Sequence, residues 1–116
     1  MKNMFSKIKN SPLLVAIIVA IIYGIFILAR LNSFGFDPSG FIVAGDYFVT
    51  PQMPILVNSN SHGYDGEFYY RYALSPFLFD PTAYGITIDN PSFRHQRILY
   101  PLLAWLFSIG KNELIP

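Results

Sequence analysis

The stretch LLVAIIVAIIYGIFILA, residues 13–29, carries no charged side chain. With its neighbours on either side, the apolar element approaches ~20 residues, the length that crosses the hydrocarbon core of a bilayer as a helix. Proline suits the first turn of a helix, and serine suits the N-cap. The sequence therefore predicts a transmembrane helix over residues 12–31, with Pro12 in its first turn and Ser11 as its N-cap.

The composition also favours a membrane protein. Of the 116 residues, 53% are hydrophobic and 13% are charged, whereas soluble domains carry about 25% charged residues. The high hydrophobicity excludes a disordered segment, and the absence of cysteine excludes a small secreted domain held by disulfides. A net charge of +1 provides no basic surface, so we expect no nucleic-acid partner. The length accommodates one domain at most.

Residues 1–11 contain Lys2, Lys7 and Lys9 and no acidic residue. Because positive residues are retained on the cytoplasmic side, we predict a cytoplasmic N-terminus and an external segment after the helix. A cleaved signal peptide is the alternative interpretation. Its apolar part is about 7 to 15 residues long and ends in small residues, whereas residues 27–31 read ILARL. We therefore favour an uncleaved anchor.

Residues 32–91 differ from the first helix because they are rich in acidic residues, proline and glycine. An acidic segment suits the translocated side, so this segment is predicted to be an extracytoplasmic loop. Proline and glycine leave room for short elements only. We predict a short strand or extended piece within Phe41–Val49 and a two-turn helix over Glu67–Leu74, which ends before Pro76.

A second apolar stretch, Ile98–Ile109, covers only about 18 Å as a helix and cannot span a membrane alone. Extended towards the N-terminus it covers about 27 Å, which predicts a second transmembrane helix over residues 92–110 with an interfacial start. Pro101 is expected to kink this helix. Residues 111–116 would then be cytoplasmic again.

Together these segments predict an all-α membrane protein. Two transmembrane helices form a hairpin, and the long extracytoplasmic loop between them contains short helices. The alternative is a single-pass protein whose external residues form a small domain of their own.

The densest group of chemically versatile side chains is HGYDGEFYYRY, residues 62–72. In one interpretation Asp65 caps a short helix that starts at Gly66 or Glu67, and the tyrosines form an interfacial belt. In the other, Asp65 is a general base or a metal ligand and Glu67 is its partner, because a carboxylate beside aromatic surface is poorly hydrated. His62 and these two acids are also candidate ligands of a divalent cation, and no other cofactor is indicated.

Arg94 and Arg97 are three residues apart and share one face of a helix. Two arginines at the outer end of a membrane helix depart from the positive-inside tendency, so a negative partner is expected. One candidate is Asp89 or another acid of the loop. The other is a phosphate group, which suits the planar guanidinium and at membrane level would belong to a lipid-linked molecule. His95 is interpreted as a hydrogen-bonded interfacial residue.

Two motifs follow the first membrane helix, GYDGEFYY at residues 63–70 and PSFRHQRILYPLLAW at residues 91–105. In this order they resemble the N-terminal part of bacterial multi-pass proteins similar to the GT-C glycosyltransferases. The resemblance implies transfer of a sugar from a polyprenyl phosphate at the outer face of the bacterial cytoplasmic membrane. In that superfamily an acidic residue of the first external loop is the catalytic base or binds a metal.

By this resemblance Asp65 would deprotonate the acceptor hydroxyl, and Glu67 would assist it or hold a cation. Arg94 and Arg97 would bind the phosphate of the donor. Many members carry adjacent acids, whereas Gly66 separates the two acids here. Those enzymes also have many membrane helices, so the chain is expected to be an N-terminal portion or a reduced relative that is inactive alone.

The alternative function is a non-catalytic small subunit that packs on a larger membrane complex. The partners expected for the two functions are the lipid bilayer, a lipid-linked sugar donor and other membrane subunits.

Overall fold

The computed structural model describes residues 11–115. Lys2, Lys7 and Lys9, on which the predicted orientation depends, lie outside the described residues. The chain divides into two compact units after Phe36. The α-helices are α1 (Pro12–Ser33), α2 (Gly66–Leu74), α3 (Pro91–His95) and α4 (Leu99–Phe107). The strands are β1 (Ala44–Gly45), β2 (Val57–Asn58), β3 (Thr82–Ala83) and β4 (Ile86–Thr87), and 3-10 helices cover Pro38–Ile42 and Asn112–Leu114.

The first unit contains α1, which has 22 residues, none of them buried, and is about 33 Å long. Ser11 occupies its N-cap position and Pro12 its first turn, as predicted. Its mean hydropathy reaches 2.9, and among residues 11–115 it is the one helix long and apolar enough to cross a membrane. Such a helix near an N-terminus is a membrane span or a signal sequence. The predicted apolar helix is confirmed and extends to Ser33 rather than Leu31.

The second unit begins at Asp37, whose carboxylate caps the first 3-10 helix by accepting the backbone N–H of Ser39 at 2.9 Å. Val43, with a φ of 55°, turns the chain from this helix into β1. The extended piece predicted within Phe41–Val49 is therefore formed only in part. β1 pairs with β2 in parallel, and β3 pairs with β4 antiparallel. These short strands add to a chain that is about half helical, so only the helical part of the all-α prediction is shown.

α2 lies at the centre of the second unit and confirms the predicted two-turn helix. It starts at Gly66 and ends at Leu74, before Pro76, as expected from the bias of a residue that precedes proline. α2 packs against α4 and against β1 and β4. The buried apolar core contains Ile42, Ala44, Val49, Ile55, Phe68, Tyr70, Tyr72, Ala73, Leu74, Ile86, Ile88 and Ile115.

The second apolar stretch is not one continuous helix, because α3 and α4 are separated by a turn at residues 96–98. Within this turn Ile98 N–H donates to the His95 carbonyl, a tightened i to i+3 bond. Pro101 lies in the first turn of α4, where its missing N–H costs nothing and no kink is needed. The predicted kink at Pro101 is thus replaced by a break one turn earlier. α4 has nine residues and is about 14 Å long, so the second span and the hairpin stay predictions.

Candidate functional site

Asp65 occupies the N-cap position of α2, but its side chain makes no capping hydrogen bond. The carboxylate instead contacts Nη1 of Arg94 and, at 3.4 Å, Nη1 of Arg97. Arg94 lies in the last turn of α3, and Arg97 lies in the turn between α3 and α4. An acid of the loop is therefore a partner of both arginines, and the helix-cap interpretation holds for the position of Asp65 but not for its side chain.

Arg94 is held by two carboxylates. Its Nε and Nη2 donate to the two carboxylate oxygens of Asp89, each at 2.9 Å, in the bidentate geometry that a guanidinium favours. Its Nη1 donates to Asp65, and its guanidinium lies 4.5 Å from the centre of the Phe68 ring. The hydrogen bonds that Arg94 donates lower the pKa of Asp89, and acceptance of these bonds by Asp89 and Asp65 raises the pKa of Arg94. The side chain of Arg94 is only 14% exposed, and its guanidinium is occupied by hydrogen bonds to the two carboxylates. Its predicted contact with a phosphate stays a prediction.

Arg97 differs from Arg94 because its side chain is 52% exposed. Within residues 11–115 its hydrogen bonds use Nη1 alone, which donates to Asp65 and, at 3.5 Å, to the hydroxyl of Tyr69. The guanidinium also lies 5.0 Å from the centre of the Phe93 ring. Arg97 sits at an apolar groove of about 540 Å³ between α2 and α4. Of the two arginines it is therefore the one that remains accessible to an anion.

A second, more polar cavity of about 380 Å³ opens beside Asp65. It brings two carboxylates, a guanidinium and an imidazole together with aromatic rings, which are groups that hydrogen-bond and stack on polar organic molecules such as sugars. The His62 ring is itself stacked 4.0 Å from the ring of Tyr47. The lining residues are Phe48, His62, Gly63, Tyr64, Asp65, Phe68, Asp89 and Arg94.

Glu67 lies away from this cavity lining and is completely buried. Its Oε2 accepts the backbone N–H of Gly45 at 2.9 Å, while its Oε1 is buried without a hydrogen-bond partner among the described residues. Burial raises the pKa of Glu67 from 4.5 to about 7, although the hydrogen bond from Gly45 opposes the rise. The contacts of Glu67 join α2 to β1, so they support a role in folding, and its predicted catalytic role stays a prediction.

The glycines that flank Tyr64 and Asp65 permit close packing. A Cβ on Gly66 would lie 2.3 Å from the carbonyl oxygen of Ile42, and a Cβ on Gly63 would lie within 2.4 Å of the Glu67 carboxylate. Gly63 also has a φ of 65°, which side chains rarely adopt. The glycines therefore let the acidic loop lie directly on the backbone beneath it, rather than leaving it free to move.

The residues that the structure describes do not make a metal site. Among residues 11–115, no three histidine or acidic side chains converge in a way that could hold a metal ion. His62 and Asp65 line the same cavity, but Glu67 points into the core. The suggested divalent cation therefore lacks a donor set in this part of the chain, and no chemical step is assigned to one.

The sequence gives only weak indications of two residues that stabilise this region, Asp89 and Arg71. Asp89 was considered only as one possible acid near Arg94, although its place just before the N-cap Asn90 of α3 already puts it close to the first turn of that helix. Arg71 was not singled out, yet it is completely buried on α2 and donates to the carbonyls of Ser75, Leu78 and Asp80. The burial of Arg71 could have been predicted from its place among apolar neighbours at helical spacing.

The raised pKa of Glu67 predicts a pH-dependent stability. In the unfolded chain the carboxyl ionises near pH 4.5, whereas in the folded chain it stays protonated until about pH 7. The folded state therefore binds the proton more tightly, and stability falls as pH rises between these values, by about 3 kcal/mol in total. Glu67→Gln removes this fall, because an amide cannot ionise.

The measurement is denaturant unfolding of the full chain in detergent micelles at about pH 5 and about pH 8. The wild type should lose stability at the higher pH, and Glu67→Gln should lose less. Parallel pH profiles for the two proteins would contradict the prediction. Glu113→Gln, which makes the same change at an exposed glutamate, is the matched control.

No protein-family model, curated protein or solved structure matches this chain.

Proposed function

We propose that this chain is the N-terminal portion of a GT-C-like membrane glycosyltransferase that uses a polyprenyl-phosphate-linked sugar on the outer face of the membrane. The observation that carries the proposal is the Asp65 carboxylate, which is held by Arg94 and Arg97 at the edge of a polar cavity. This ion-pair cluster brings together the two motifs that carry the resemblance, residues 63–70 and 91–105.

Sugar transfer needs a general base for the acceptor hydroxyl and a positively charged group that stabilises the departing phosphate. Asp65 accepts the proton of an acceptor hydroxyl. The oxygen of that hydroxyl attacks the anomeric carbon of the sugar, and the bond from this carbon to the lipid phosphate breaks. Arg97, which is half exposed, stabilises the charge that develops on the departing phosphate. Arg94 is a positioning residue, because its contacts with Asp89 and Asp65 fix the carboxylate.

The proposed location follows from the same assignment. The protein lies in the bacterial cytoplasmic membrane as a multi-pass protein with its N-terminus in the cytoplasm and the site of Asp65 outside. The support for this placement is α1, which is apolar over a length sufficient to cross the bilayer.

Arg97→Gln should weaken the binding of polyprenyl phosphate by about tenfold or more, because a charge-assisted hydrogen bond contributes about 1.5–3 kcal/mol. The measurement is the affinity of the purified full chain in detergent micelles for a fluorescent polyprenyl phosphate. Lys111→Gln is the matched control, since Lys111 is an exposed cation beyond the other end of α4, and its affinity should stay within about twofold. Equal affinity for Arg97→Gln and the wild type would contradict the role of Arg97.

A second candidate is a non-catalytic small subunit of a larger membrane complex. It is favoured by α1, whose side chains are all unburied and whose Gly24 has open space around it, as a helix that receives a neighbouring helix would. The arginine pairs of Asp65 would then be structural. This alternative predicts co-purification with a partner in fixed stoichiometry, and activity of the complex that is indifferent to Asp65→Asn.

A further inference from the structure

α4 has an unusual arrangement of side-chain sizes. Its inward side carries Pro101 and Ala104, with the C-cap Ser108 just beyond the helix, and these three recur at helical spacing and pack towards the core. Leu102 and Trp105 are half-buried. Its outward face carries large apolar side chains that are 42% to 84% exposed. These are Leu99, Tyr100, Leu103, Leu106 and Phe107, with Ile109 just beyond the helix. We call them the outer face of α4.

This arrangement is the reverse of a helix on a water-soluble domain. There the large apolar side chains turn inwards and the polar ones face water. In membrane proteins small residues lie at packed helix interfaces, and large apolar ones face the hydrocarbon. The outer face of α4 adjoins Phe77, which is 67% exposed and lies edge-on to Trp105, with ring centres 5.8 Å apart. The exposed apolar patch thus extends beyond one helix and marks a contact surface.

The length and flanks of α4 fit one leaflet of a bilayer. At about 14 Å it covers less than half of the hydrocarbon thickness. Residues 98–110 carry no charge, whereas Arg97 and Lys111 bound the helix on its two sides. Cations at the ends of such a helix reach the headgroups, and Tyr100 and Trp105 are residue types enriched at the interface.

We propose that α4 lies in the outer membrane interface with its outer face in the lipid, as a second membrane contact that does not cross the bilayer. The occupant of this face is lipid rather than another protein, because α1 is itself apolar over a length that crosses a bilayer and the patch consists of the residues that lipid accepts. This inference does not depend on the proposed sugar transfer.

The test uses Trp105, which is the single tryptophan of the protein and lies on α4. The full chain is reconstituted into phosphatidylcholine–phosphatidylglycerol vesicles whose phosphatidylcholine carries bromine either near the headgroup end or near the methyl end of its acyl chains. Bromine near the headgroup should quench Trp105 more strongly than bromine near the methyl end. Stronger quenching by the deep bromine would mean that the helix spans the bilayer and would overturn the proposal.

Absence of quenching by either lipid would also overturn it, whether the indole is then accessible to aqueous acrylamide or is covered by another protein. The double variant Leu103→Ser/Leu106→Ser should lose most of the quenching, because it removes apolar surface that the folded unit does not bury. Leu56→Ser is the matched control, since Leu56 is an equally exposed leucine outside α4 and should leave the quenching unchanged. Circular dichroism of each variant verifies that the helices are intact.

Discussion

Asp65→Asn should abolish sugar transfer, with a loss of about 10²- to 10⁴-fold, while the protein still inserts and folds. The amide has the shape of the carboxylate, and its one oxygen can still accept a hydrogen bond from Arg94 or from Arg97, but it cannot take the proton of the acceptor hydroxyl. The fold should survive because Arg94 keeps both hydrogen bonds to Asp89. The measurement is transfer of a radiolabelled sugar from a polyprenyl phosphate in membranes that contain the full protein.

The control for this variant is Asp80→Asn. The Asp80 side chain is exposed, and it is the backbone carbonyl of this residue that contacts Arg71, so the substitution should change transfer by less than about twofold. Resistance to extraction from membranes at alkaline pH shows that each variant is inserted. Transfer that is unchanged in Asp65→Asn would remove Asp65 from the mechanism and favour the subunit hypothesis.

Arg71→Met should destabilise the second unit by about 3 kcal/mol or more. The substitution keeps much of the side-chain volume but leaves the carbonyls of Ser75, Leu78 and Asp80 without the donors that Arg71 provides. It also removes the contact between the guanidinium and the Tyr84 ring, 5.7 Å from its centre. Burial lowers the pKa of Arg71, which shows that the fold bears a cost to keep this cation inside.

The stability is measured by denaturant unfolding of the full chain in detergent micelles, with circular dichroism as the readout. Arg71→Lys should fall between the wild type and Arg71→Met, because an ammonium keeps the charge but cannot span three carbonyls with a planar fork. Lys111→Met, an exposed cation changed in the same way, should alter stability by less than about 0.5 kcal/mol. A loss below about 1 kcal/mol for Arg71→Met would mean that the three carbonyls find other partners.

The elements that the sequence predicts well are those determined by local chemistry. α1 follows from an uninterrupted apolar run with a proline at its start, and α2 follows from a helical segment placed between Gly66 and Pro76. The sequence also predicts an acid of the loop as one candidate partner of the arginines, with a phosphate as the other, and Asp65 and Asp89 are such acids.

The features that were not predicted depend on tertiary contacts. The direction in which Glu67 points is decided by the N–H of Gly45, which is 22 residues away in the chain. The break between α3 and α4 lies just before a helix that has Pro101 in its first turn and packs against α2, and periodicity alone cannot separate this from a kinked span. The difference between Arg94, which is held by two carboxylates, and Arg97, which stays half exposed, likewise depends on the position of Asp89.

The two carboxylates around Arg94 also bear on how this protein can change over time. Asp65 precedes α2 and Asp89 precedes α3, so one guanidinium ties the starts of two helices together. A substitution at either acid leaves the ion pair of Arg94 with the other acid intact. The fold therefore tolerates the loss of one ion pair more easily than the loss of the arginine. Selection on position 65 can therefore act on the functional role of the side chain, because its loss costs the fold little stability.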